Sequence, residues 1–441
     1  MRQAPAAHPG LPVLGRNLLS LLATGLALAI VSAWVAASYF AVDVPGSLIW
    51  PGADGYCEEG VESVGSHCFS DLAQFLTLGA TMDPEASNPF IRNYPPLNRL
   101  GFFIFQTIAV GSTQLVAVLL YVILSAVSLL IPALWVSRRR PLTDRLLIIS
   151  LIGVATFPFL ATLDRGNNLA FAVPFLWLFA IALQKNRFGW AIAAVVIGSQ
   201  IKPQIGLLVL GFLVVRRYRE FLVATVASLG LFLASFAIFW VLPGGLSPLQ
   251  EFKDFILYTR FYDQYIPLTD TYPLNVSFVH LLGLAWEGLG LGAANTDGLH
   301  WFVYGVVGLA LAAIVWRGRR LGIAVWVPAL LMGVFLAPNP VFAYYLVGAS
   351  IAAAFLFYRP FVQQVESAPR LVRWLFVAAV VASMVPLLIP AGWAQAPVPT
   401  VGEGVVVSVL PRLAAAIWLV YVIAVAVVSI RPAQKVESVN S

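Results

Sequence analysis

The chain is poor in charged residues. Only 10% of its 441 residues are Asp, Glu, Lys or Arg, whereas 60% are hydrophobic. Soluble domains carry roughly 25% charged residues, so this composition excludes an ordinary soluble enzyme. The apolar runs are long and continuous, which excludes the alternating strands of a membrane barrel. Since helices satisfy their own backbone groups in lipid, the sequence predicts an all-α, polytopic integral membrane protein.

Cysteine and histidine are also scarce, with two and four residues respectively. Cys57 and Cys68 both lie in one predicted extracytoplasmic loop, where an oxidising compartment favours a disulfide between them. Two free thiols remain the alternative. One nearby histidine, His67, is too little to indicate zinc, so no metal site is predicted. No cofactor is predicted either, and participation of a divalent cation stays open.

The basic residues are unevenly placed along the chain. Of the 26 Lys and Arg residues, 19 fall in loops and tails that we assign to the cytoplasmic side, together with only 4 of the 20 acidic residues. This distribution follows the positive-inside rule. The net charge of +6 therefore indicates topology and not nucleic-acid binding. We expect a multi-pass protein of the plasma membrane with both termini in the cytoplasm.

The apolar segments predict about 12 transmembrane helices in a single domain, 1–441. The first, Leu18–Phe40, is long enough to span and is interpreted as a membrane helix, not a removed signal peptide. Two long segments, 41–111 and 243–298, are predicted as extracytoplasmic loops that carry interfacial helices. Structureless loops of such length are usually functional.

One helical hairpin concentrates polar residues at its open end. Its apolar segments, Leu169–Leu183 and Phe188–Ile201, are joined by a basic turn at 185–187. If both segments cross the membrane, the polar residues that flank them converge on the opposite face. Ionisable groups at that depth mark a functional site by default. The flanking residues are Asp164, Arg165, Asn167, Asn168, Lys202 and Gln204.

Five short motifs occur along the chain in the same order as in a known protein family. They are Phe69-Ser70-Asp71-Leu72, Tyr94-Pro95-Pro96, Asp164-Arg165-Gly166-Asn167-Asn168, Lys202-Pro203 and Asn275-Val276-Ser277. With this order and spacing, the chain resembles the GT-C superfamily of membrane glycosyltransferases, and most of all glycosyltransferase family 87. The resemblance covers roughly residues 18–358. The late turn 337–345 departs from the family pattern because it has no histidine, which leaves the sugar and the acceptor open.

The resemblance implies a GT-C-like fold and an inverting sugar transfer. The donor would be a polyprenyl phosphate sugar, with mannose favoured, and the acceptor an envelope glycan or glycolipid at the outer face of the bilayer. Asp71 would act as general base. Donor phosphate would be bound by Lys202, Arg165 and Arg260. Sugar or acceptor would be bound by Tyr94, Asp164, Asn167, Asn168, Gln204 and Tyr344.

Other interpretations remain open. The protein could be an arabinofuranosyltransferase, a transporter or flippase of a lipid-linked glycan, or a membrane glycan polymerase. Asp164 could be a helix-end charge paired with Arg165, and Lys202 could extend to the interface as a membrane anchor. Tyr344 could belong to an aromatic belt, and Arg260 could bind lipid headgroups. The oligomeric state is not predicted.

Overall fold

The computed structural model describes residues 11–40, 72, 76, 94–238, 240, 246–265, 276–291, 296–337, 341–387 and 410–431. Within these residues the protein is entirely helical, as the composition predicts. The α-helices are α1 (Val13–Phe40), α2 (Pro96–Gly111), α3 (Gln114–Ser137), α4 (Leu142–Ile148), α5 (Phe157–Arg165), α6 (Val173–Gln184), α7 (Phe188–Ile201), α8 (Leu210–Val214), α9 (Tyr218–Ser235), α10 (Pro248–Tyr265), α11 (Phe278–Gly288), α12 (Thr296–Arg317), α13 (Ile323–Leu336), α14 (Val347–Phe355), α15 (Arg359–Glu366), α16 (Arg370–Met384) and α17 (Leu410–Ile430).

Several helices are long and apolar enough to cross a membrane. In the described part of the chain five qualify by length and composition: α1, α3, α9, α17, and α12 together with the 3-10 segment Gly318–Leu321 that follows it. Two bent helix pairs raise the number to seven. The protein is therefore a membrane protein. The predicted number of about 12 crossings is not confirmed, because α6, α7 and α13 are shorter than the roughly 20 residues that a full span needs.

The boundaries follow the apolar runs closely, but some predicted helices are broken. The run 146–163 divides into α4, a π-helical segment Ile149–Val154 and α5. The chain bends by 53° between Leu142–Val154 and α5. The run 341–358 begins with a 3-10 segment, Ala343–Leu346, and turns by 95° into α15. Hydrophobic content does not record the breaks at Ile149–Val154 and Ala343–Leu346, since both segments are themselves apolar.

The centre of the bundle is formed by α13 and α14. Nearly every side chain of both helices is buried, including Trp326, Phe335 and Phe355. A helix that is apolar on all faces belongs in a core. Around this core, α3, α9 and α12 turn large apolar side chains outward, such as Leu119, Val226 and Leu309. These exposed faces are suited to contact with lipid.

The two ends of the bundle differ in charge. We call the end that contains the turn 185–187 the basic end and the end that contains Lys202 the site end.

At the basic end Gln364 joins three helices. Its amide oxygen accepts from the Ala324 backbone nitrogen at 2.8 Å. Its amide nitrogen donates to the side chain of Gln184 at 2.8 Å. Thus α15 ties the end of α6 to the start of α13.

Replacing Gln364 by leucine is expected to destabilise the protein. Gln364→Leu removes both hydrogen bonds and leaves the Ala324 nitrogen without its acceptor, at a cost of about 1–3 kcal/mol. Thermal unfolding in detergent should show a lower midpoint. Gln363→Leu is the matched control, because Gln363 is exposed on the same helix. Equal midpoints for the two variants would contradict the structural role of Gln364.

Candidate active site

Lys202 lies at a break in the chain that its neighbour imposes. Pro203 cannot continue α7, and the residue before a proline is driven out of the helical region. Lys202 accordingly has an extended backbone, with φ −139° and ψ 115°. At 1.5 Å per residue, the 14-residue α7 spans about 21 Å, which is less than the roughly 30 Å of a hydrocarbon core. The sequence thus places a cation inside the bundle, at the end of a short helix.

Three tyrosines surround the ammonium group of Lys202. Its Nζ lies 5.1 Å from the ring centre of Tyr94, 5.6 Å from that of Tyr344 and 5.7 Å from that of Tyr345. All three distances are within the range of cation–π attraction. Only 9% of Lys202 is exposed. We call Lys202, Tyr94, Tyr344 and Tyr345 the tyrosine cage.

A row of aromatic rings connects the tyrosine cage to Arg165. Phe342 stacks on Tyr344 with ring centres 5.4 Å apart, and the Arg165 guanidinium carbon lies 5.8 Å from the Phe342 ring centre. Arg165 ends α5, which packs against the segment Ala343–Leu346. The structure therefore brings Arg165, Lys202, Tyr94 and Tyr344 into one group, as the hairpin argument expects for the first two.

A network of amides holds α2 against this group. The Tyr121 hydroxyl donates to the Gly166 carbonyl at 2.6 Å and to Asn168 Oδ1 at 3.2 Å. The Asn168 amide nitrogen donates to Asn98 Oδ1, and Asn98 donates to the Ile201 carbonyl at 2.7 Å. The network joins α2, α3, the turn after α5 and the end of α7.

Gly166 forms the turn between α5 and the two asparagines, Asn167 and Asn168. Its φ of 64° lies in the left-handed region, which glycine adopts without a steric cost. Asn167 follows and is fully buried, and its Oδ1 accepts from the Leu169 nitrogen at 2.9 Å. Both predicted amide ligands, Asn167 and Asn168, thus have structural hydrogen bonds. Their sugar-binding role stays a prediction.

The remaining predicted residues differ in position. Asp164 is buried in the last turn of α5. Gln204 is half-buried beyond Pro203, and its buried Oε1 has no hydrogen bond within the described residues. Arg260 is exposed on α10 and makes no described ion pair or ring contact with the tyrosine cage. Its role in binding phosphate stays a prediction.

Asp71, Cys57 and Cys68 lie outside the described residues. Leu72, the neighbour of Asp71 in the chain, is described as helical and completely buried. Leu72 belongs to an apolar cluster with Phe102 and Tyr121, against which Tyr94 packs. The first long loop therefore reaches the site end at position 72.

Several residues of the site were not predicted from the sequence. Tyr345 and Phe342 lie in the run 341–358, which is predicted as a transmembrane helix without a functional motif. Asn98 and Tyr121 lie inside apolar segments. Arg412, in the first turn of α17, is only 1% exposed, and α17 contacts the segment Ala343–Leu346. A lone arginine in an apolar run is the signal that could have found it.

The arrangement suits an anionic ligand. Two cations, Lys202 and Arg165, approach one row of aromatic rings in a largely desolvated place, where charge-assisted contacts are strong. Tyrosine rings can also pack against the apolar faces of a sugar. Among the described residues, no group of three or more His, Cys, Asp or Glu side chains could hold a metal ion.

Comparison with protein families identifies the class. The family model "Glycosyltransferase family 87" matches residues 90–338, more than half of the chain. The chain therefore belongs to glycosyltransferase family 87, as its motifs predict, and it is a membrane glycosyltransferase. The matched range includes Tyr94, Arg165 and Lys202, whereas Asp71 and Tyr344 lie outside it. Comparisons with curated proteins and with solved structures gave no match.

Tyr121→Phe is expected to loosen α2. The change removes both hydroxyl bonds and leaves the buried Gly166 carbonyl and Asn168 oxygen short of a donor, costing about 1–3 kcal/mol. Hydrogen exchange measured on peptides from 96–111 should become faster. Tyr218→Phe, at an exposed tyrosine of α9, should leave exchange in 96–111 unchanged. Unchanged protection in Tyr121→Phe would show that the network does not hold α2.

Proposed function

We propose that the protein transfers a sugar, with mannose the favoured one, from a polyprenyl phosphate to a glycan or glycolipid of the cell envelope. The observation that carries the proposal is the tyrosine cage around a buried lysine, with Arg165 at the other end of the same aromatic row. A lipid-borne phosphate is an anion that these cations can bind. The sugar that it carries would pack against the tyrosines.

The distribution of charge supports an extracytoplasmic site. The loops and tails assigned to the cytoplasm hold 19 of the 26 basic residues, and the turns 138–140 and 185–187 lie at the end of the bundle opposite Lys202. If the short helices also cross, the chain spans the plasma membrane about 12 times, with both termini in the cytoplasm. A donor in the outer leaflet then reaches Lys202 from the surrounding lipid.

The chemical step needs a base and an anion-binding group. An acceptor hydroxyl oxygen attacks the anomeric carbon, while the bond from that carbon to the phosphate oxygen breaks and its electron pair leaves with polyprenyl phosphate. Asp71 takes the hydroxyl proton. Lys202 and Arg165 stabilise the charge that develops on the leaving phosphate. Attack opposite the leaving group inverts the configuration of the anomeric carbon.

The position of Leu72 is consistent with this role for Asp71. Leu72 packs in the cluster that Tyr94 borders, and Tyr94 belongs to the tyrosine cage. Adjacent Cα atoms are about 3.8 Å apart. A base at position 71 therefore belongs to a stretch of chain that reaches the same end of the bundle as the two cations.

Lys202→Gln should reduce transfer. Loss of one preorganised charge at the leaving group is expected to lower kcat by about 100-fold or more. The assay follows radiolabelled mannose from polyprenyl-phosphate-mannose to extracted envelope acceptors, with polyprenyl-phosphate-arabinose as the competing donor. Lys253→Gln, at an exposed lysine of α10, should keep full activity. If wild-type protein moves the lipid-linked sugar across vesicles without covalent transfer, the enzyme assignment fails.

Asp71→Asn should strongly reduce transfer while leaving donor binding intact. The amide keeps the size of the carboxylate but cannot accept a proton, so kcat should fall by about 100-fold to 10,000-fold with little change in donor affinity. Rates come from the same radiolabel assay, and affinity from equilibrium binding of the donor. Asp83→Asn, at another acid of the same loop, is the control. An equal fall in kcat in the two variants would show that Asp71 is not the general base.

A further inference from the structure

Two cations lie near the ring of one tryptophan at the basic end. The Arg138 guanidinium carbon lies 4.2 Å from the ring centre of Trp135, and Lys185 Nζ lies 5.7 Å from the same centre. Arg138 follows α3 and Lys185 follows α6, so two separate turns supply them. Neither residue forms an ion pair within the part of the chain that the structure describes. The proposed sugar transfer makes no use of these residues.

The shared tryptophan is packed against two other aromatic rings. Trp135 packs edge to face against Trp177 at 5.3 Å and against Tyr358 at 5.0 Å between ring centres. Trp177 is buried, whereas Trp135 itself is half-buried. The Trp135 ring is thus fixed on its inner side and accessible on its outer side. Tryptophan is enriched at the level of lipid headgroups.

The two turns are held in place as well. The Arg140 guanidinium donates to the Phe357 carbonyl at 3.3 Å, and Gln184, next to Lys185, accepts from Gln364. Both cations lie within 6 Å of one ring centre, so their charges are less than about 10 Å apart and repel each other. An anion that contacts both would offset this repulsion.

We propose that Trp135, Arg138 and Lys185 bind the phosphodiester headgroup of an anionic phospholipid in the leaflet at the basic end. Both cations are exposed and can reach a headgroup. Basic sites between membrane helices on the cytoplasmic side bind such lipids. A lipid fits better than free phosphate because exposed apolar side chains, Leu142 and Trp190, lie close in sequence to the two turns and offer contact to acyl chains. The inference does not rest on the proposed function.

Native mass spectrometry of the full-length protein in detergent tests the site. The probes are phosphatidylglycerol, phosphatidylcholine with matched chains, and inorganic phosphate. At roughly fivefold for each of the two cations, wild-type protein should prefer phosphatidylglycerol by about 25-fold. Equal binding of the two lipids would overturn the proposal. Displacement of phosphatidylglycerol by an equal concentration of inorganic phosphate would also overturn it, in favour of a site for free phosphate.

A matched pair of variants separates a built site from general surface charge. Arg138→Gln/Lys185→Gln should lose most of the preference, whereas Arg139→Gln/Arg187→Gln should keep it. The second variant removes the same charge from the same two exposed turns but away from Trp135. Equal loss in both would show that only net charge matters.

A single variant covers the case in which the double variant does not fold. Lys185 is exposed, so Lys185→Gln should fold normally and lose roughly fivefold in phosphatidylglycerol affinity. The control Arg187→Gln should keep more than half of the wild-type affinity for phosphatidylglycerol. A Lys185→Gln variant with wild-type affinity would overturn the proposal.

Discussion

An ammonium group in an apolar bundle is costly unless its surroundings compensate it, and this cost governs the site end of the protein. Pro203 ends α7 early and leaves Lys202 within the bundle, where it cannot extend fully into water. The rings of Tyr94, Tyr344 and Tyr345 provide part of the compensation. Because these tyrosines come from distant parts of the chain, the cage forms only when the bundle and the first long loop are folded together.

The two ends of the bundle handle positive charge differently. At the site end Lys202 and Arg165 are buried, and each lies near aromatic rings. At the basic end they are numerous and mostly exposed, as expected for residues that set topology. Arg138 and Lys185 are intermediate, since they are exposed yet share one fixed tryptophan ring. Burial therefore distinguishes groups that can act on a desolvated ligand from groups that contact the membrane surface.

The sequence predicts the helices better than it predicts the site. Apolar runs place α7 and α17 within a few residues, because hydrophobic content decides which segments enter the bundle. Breaks such as Ile149–Val154 depend on local backbone geometry and are not visible in composition. Lys202 and Arg165 stand out as charges beside apolar helices. Tyr345, Asn98 and Tyr121 do not, because their contacts join segments that are far apart in the chain.

One ion pair links the two long loops to each other. Arg99 on α2 and Glu251 on α10 approach to 2.6 Å, and both side chains are largely shielded from water. Breaking a shielded pair by removing one partner leaves an uncompensated charge. A chimera that exchanges only one of these loops with that of a relative would separate the partners. Loop grafting in this protein therefore has to transfer 41–111 and 243–298 as a unit.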